Sequence, residues 1–137
     1  MYRRIMVPVD LTHIESLDKA LNTAADLAKH YDIPMCLVGV TAAAASPVAH
    51  TPAEYASRLA AFGTDQSKQR GIEIETKAYT SHDPAIDLDK TLMGAIEELD
   101  ADLVVMASHI PGVPDHIFAS NAGYLAAHAG CSVFVIR

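Results

Sequence analysis

Five short apolar runs punctuate the chain, and between them the apolar positions spread out to one in every three or four. The runs cover residues 3–9 (RRIMVPV), 34–40 (PMCLVGV), 72–80 (IEIETKAYT), 101–107 (ADLVVMA) and 131–136 (CSVFVI). Four are nearly unbroken in apolar character, the pattern of strands covered on both faces; the third alternates, as an edge strand does. The first helix is expected to open on THIE at 12–15, a capping box in which Thr12 and Glu15 satisfy free amides reciprocally. Leu17, Ala20, Leu21, Ala24, Leu27 and Ala28 then line one helix face. A second box, TPAE at 51–54, places Pro52 at the first helical position, and that helix should reach about Gln69. A third helix starts after Asp83, and a fourth near Ser120 with Leu125, Ala126 and Ala129. Residues 41–50 (TAAAASPVAH) are assigned to loop.

Strands alternating with helices imply right-handed crossovers and an open parallel α/β sheet. At 137 residues, the whole span 1–137 fits one domain. The formal charge of −7 and the lack of a Lys/Arg cluster argue against a nucleic-acid face, because backbone binding depends on clustered cations. No run approaches the length needed to span a bilayer, and the opening residues lack a signal-peptide core, so no membrane association and a cytoplasmic location are expected. Cys36 and Cys131 sit in apolar surroundings without CxxC spacing and read as small buried hydrophobes. The seven histidines show no HxxxH or HExxH pair, so no metal site built from protein ligands is expected. His82 and His109 stand at strand ends that can face one pocket.

In sheets of this kind ligands bind beyond the carboxyl ends of the strands, where strand order reverses. Asp10 ends the first run, where a carboxylate can bond sugar hydroxyls or support the turn. Ala119, Ser120 and Asn121 begin the last helix, whose free amides and dipole favour an anion; a serine there also serves as an ordinary cap. The small residues Ala107, Ser108 and Ala119 permit close approach to the backbone. No GxSxG, GxxxxGK[ST] or GxGxxG motif is present, and the acidic cluster and lysine of a receiver domain are missing.

The stretches RRIMVPVDLT, ADLVVMASH, ASNA and HAGCSVFVIR together resemble the universal stress protein family over essentially the whole chain. That resemblance implies a five-stranded parallel sheet in the order 3-2-1-4-5 with helices on both faces. It also implies an adenine nucleotide, ATP or its AMP and ADP relatives, with Mg2+ held through the phosphates. The family signature GxxG, nine residues, then G and S or T, is answered here by Ala107-Ser108-His109-Ile110, eight residues, then Ala119-Ser120. All three glycines are replaced, and the chain resembles the ATP-binding branch that carries ASH and SNA at these places. By that resemblance adenine would lie on Pro8, Val9 and the backbone of Val40. Ribose would meet Asp10 and the backbone of Met106 and Ala107, with Ser108 beside it; phosphates would meet His109, Ala119, Ser120, Asn121 and Ala122.

The function expected is that of a nucleotide-responsive regulatory protein of the stress response, acting through loop order and through oligomer or partner state. A nucleotide-free interaction module with a vestigial pocket is the alternative. Slow ATP hydrolysis is the weakest reading, with Asp10 the only carboxylate to nominate as base. The resemblance further implies a homodimer through the C-terminal strand, or a tetramer built on it, and an unidentified protein partner. The apolar run 131–136 agrees with such an edge pairing.

Overall fold

The computed structural model describes residues 1–108 and 117–137, with the backbone alone for residues 85 and 117–120. The strands are β1 (Ile5–Pro8), β2 (Met35–Ala42), β3 (Ile74–Ser81), β4 (Leu103–Ala107) and β5 (Ser132–Ile136). The α-helices are α1 (Asp18–Tyr31), α2 (Pro52–Arg70), α3 (Pro84–Leu99) and α4 (Ile117–His128). The strands form one sheet in the order β3-β2-β1-β4-β5, and all four ladders are parallel. This is the expected 3-2-1-4-5 order.

Alternation along each strand divides the core in two. Ile5, Val7, Met35, Leu37, Leu103 and Val105 point to the face covered by α1 and α2, with Leu21, Ala24 and Leu59 packed on them. Met6, Cys36, Val38, Val104 and Met106 point to the other face, against Leu88, Leu92, Ala122 and Leu125 of α3 and α4. The central strands are therefore buried on both sides, which is why their sequences carry no polar alternation. β3 is an edge strand, as its alternating sequence predicts, although its burial does not alternate cleanly. β5 does not follow its own pattern: it is also an edge, with Ser132 and Phe134 exposed, although its sequence reads like a covered strand.

Helix ends follow local chemistry. The Thr51 hydroxyl accepts the Glu54 amide at 3.1 Å, and Glu54 in turn accepts the His50 amide at 3.0 Å, so the second capping box forms with its return bond one residue early. That backbone donor and then Arg58 hold the partly exposed Glu54 carboxyl below the usual range. The helix stops at Gly71, whose φ of 67° suits a residue without Cβ. The first box does not start α1. Residues Leu11–Leu17 instead form a 3-10 stretch with a break at His13, and its cap is Asp10 rather than Thr12. The α-helix proper begins at Asp18. Asp10 stands two residues ahead of Thr12 and offers a carboxylate, so it takes the free amides first. Two further boundaries differ from expectation: Thr41 and Ala42 extend β2, and α4 opens at Ile117, ahead of Ser120.

Candidate site at the split between β1 and β4

β1 pairs with β2 as far as Pro8 and Val38, but with β4 only at Ile5–Leu103 and Met6–Val104. β4 meanwhile stays with β5 through Ala107 and Ile136, and the Ser108 amide donates to the Ile136 carbonyl at 2.7 Å. The sheet therefore parts between its first and fourth strands beyond Met6. Pro8 explains where. Ile5 donates its amide to the Pro34 carbonyl just ahead of β2 at 3.3 Å and Val9 to Val38 within it at 2.9 Å, so the alternate positions 6 and 8 face β4. At position 8 there is no amide to donate, and the ladder ends. This parting coincides with the reversal of strand order, the place where open α/β sheets bind ligands.

The expected site residues arrange around this split in two groups. Pro8, Met106 and Ala122 belong to the face covered by α3 and α4, with Val40 packed beside them. Val9 and Ala107 point into the opposite half of the core, so only their backbone is available at the split. Asn121 and Ala122 are buried on α4, one turn beyond its start; the amides without an intrahelical acceptor belong to the turn 117–120. Ser120 thus sits inside the first turn rather than at the cap. Ser108 is half-buried at the end of β4. His109, like His116, lies outside the described residues.

Asp10 follows β1 by two residues and caps the 3-10 stretch, its side chain 14% exposed. One carboxylate oxygen accepts the Thr12 amide at 3.0 Å and the Thr12 hydroxyl at 2.5 Å; the other lies 3.2 Å from His13 Nδ1. Of the two roles open to it from position, support of the turn is the one its bonds display. Sequence reading missed a neighbour. Tyr55 of α2 is buried with its hydroxyl over Gly39, where an added Cβ would stand 2.4 Å from the Tyr55 oxygen. Burial, and then the Asp10 carboxylate, push the Tyr55 hydroxyl well above the usual tyrosine range, so it stays a neutral donor. The available signal was Gly39 itself, since a glycine inside a strand marks a close approach.

Elsewhere the side chains divide as follows. Cys36 is buried and Cys131 partly so, and burial raises both thiols. His82 does not join the split; it borders a separate cleft between β3 and α3. A cleft of about 570 Å³ lies on the α1–α2 side, between Leu11, Thr12 and Ile14 and the Arg58–Asp65 part of α2. Among the described residues no group of three or more His, Cys, Asp or Glu could hold a metal ion, and no helix is long and apolar enough to cross a membrane.

The fold defines a doubly wound α/β protein whose sheet parts at the switch point between β1 and β4 and whose sequence carries none of the standard catalytic motifs. Residues 1–137 match the model of the universal stress protein family, and the chain belongs to that family. It is 31% identical over 146 residues to universal stress protein G of Salmonella typhimurium, covering all of both chains. A universal stress family protein from Burkholderia pseudomallei superimposes with a TM-score of 0.72 at 23% identity, covering 98% of this chain and 96% of that one. The universal stress protein from Archaeoglobus fulgidus in complex with dAMP does so with 0.70 at 18% identity, covering 99% and 98%.

Proposed function

We propose that this chain binds an adenine nucleotide at the split between β1 and β4, and that occupancy orders the surrounding loops and shifts an oligomeric or partner equilibrium in the cytoplasmic stress response. The observation that carries the reading is the split itself: the β1–β4 ladder stops at Met6–Val104, and Pro8 has no amide with which to continue it. A relative of the same fold with dAMP bound supports the ligand class. The donor set suits it. Apolar Pro8 and Val40 offer a wall for a purine, Asp10 an acceptor for ribose hydroxyls, and the α4 amides donors for phosphate. ATP with Mg2+, AMP and ADP are the candidates; the cation, when bound, neutralises phosphate charge that no Lys or Arg in residues 104–130 can offset.

One observation favours the alternative, a nucleotide-free interaction module. Both Asp10 oxygens already have partners in their own turn. Ribose binding therefore has to share or displace the contact with His13. Titration calorimetry with ATP and magnesium decides between the two. Asp10→Asn keeps a side chain able to cap the turn, because Asn and Asp cap about equally. Together with Ser120→Ala it should weaken binding about tenfold or more, the scale of one or two lost polar contacts to a charged ligand, with no loss of fold by circular dichroism. Unchanged affinity removes both residues from the site, and no heat with the unmodified chain leaves the interaction module standing.

A further inference from the structure

We propose that the cleft between β3 and α3 is a second binding site, for a small uncharged polyhydroxylated compound of the monosaccharide or cyclic polyol class. The cleft is a groove open to solvent, of about 410 Å³, bordered by Tyr79, Ser81, His82, Asp87, Lys90, Gly94 and Glu98. That is within the size range of small-molecule sites.

Two features of it serve no purpose in the fold. Ser81 is 5% exposed, yet its hydroxyl has no hydrogen-bond partner among the described residues. A buried hydroxyl left unbonded costs stability, and such groups call for an explanation. Tyr79 stands two positions earlier on the same face of β3, about 6.6 Å away along the strand, with its hydroxyl turned to Glu98. The second feature is Gly94, in the interior of α3. A Cβ added there meets nothing within 4 Å, so packing does not require the glycine, and its backbone freedom works against the helix. What its missing methyl does provide is room in the cleft.

Charge selects the ligand class. Asp87 and Glu98 are matched by Lys90 and by Lys77, which bonds Glu98 at 3.4 Å and lies 5.9 Å above the Tyr79 ring. Lys77 offsets Glu98 from beside the cleft and Lys90 offsets Asp87 within it, so the lining, with His82 on its rim, is not dominated by one sign of charge. The lining instead alternates donors and acceptors, as vicinal hydroxyls do, with carboxylates able to accept from two hydroxyls at once.

The test is an amide NMR titration of the full chain with D-glucose and with myo-inositol. Saturable shifts are expected at Tyr79, Ser81, Lys90 and Gly94 with one or both. Ser81→Ala and Gly94→Ala should each weaken binding about fivefold or more. Both should melt at the same temperature as the unmodified protein or higher, because each removes a cost that the fold does not need. The proposal is overturned if neither compound gives saturable shifts in the cleft, or if both variants bind as well as the unmodified chain. A lower melting temperature for Ser81→Ala overturns it too, since the hydroxyl would then have a partner in the fold. Saturation by inorganic phosphate or glycine in place of the two neutral compounds overturns the ligand class.

Discussion

Asp89 lies where α3 faces α4, with one carboxylate oxygen out of solvent and unbonded among the described residues. Burial raises its carboxyl above the ordinary aspartate value, and the nearby His128 offsets part of that. The consequence for stability has a definite sign. Between the ordinary and the raised value the folded state keeps a proton that the unfolded chain has released, so stability falls as pH rises through that window. Above it the whole penalty is present; below it there is none. Asp89→Asn should therefore raise the melting temperature at pH 7, and the gain should close as pH falls below about 4. A variant that melts lower at neutral pH would mean the carboxylate is needed in its charged form. At this scale the sequence was partly legible. Asp10 could be picked out because a carboxylate at a strand end has few roles, whereas Pro8 came only with the family resemblance. Which of Asp10 and Thr12 caps the following turn could not, since both are good caps and the choice depends on backbone geometry at Asp10. The unbonded hydroxyl of Ser81 left no trace in the sequence either, because satisfaction depends on neighbours distant along the chain.

The elements themselves were legible wherever periodicity and an end signal coincided. For α2 this was so at both ends: Thr51, Pro52 and Glu54 mark its start and Gly71 its stop. Where one signal was weak, boundaries moved. α4 opens at Ile117, and the sequence offers two comparable start signals, Asp115 and Ser120, between which periodicity does not choose. β5 shows the opposite problem, since its apolar sequence reads as interior while the single chain leaves Phe134 46% exposed on the sheet's edge. An apolar edge of this kind is a template for pairing with another copy. We expect a two-fold dimer through it, with Val135 close to the shared surface. Val135→Lys should give monomers by analytical ultracentrifugation, the cost of placing an ammonium in a paired edge being enough to dissociate it. A dimer that survives the substitution points to a different surface.

For the molecule as a whole, the alternation of strands and helices specified the class of fold, and the family resemblance supplied the strand order that alternation alone leaves open. The split followed from topology: strand order reverses between β1 and β4, and Pro8 removes the donor that would have held them together. The replaced glycines of the signature bear on whether the split is large enough for a phosphate chain, and backbone angles rather than residue names decide that. The most direct measurement is an electron-density map of crystals grown with ATP and magnesium. It should show a purine between Pro8 and Val40 and phosphate oxygens within hydrogen-bonding distance of the α4 amides. A map in which the protein's own groups occupy those amides and fill the split would contradict the account.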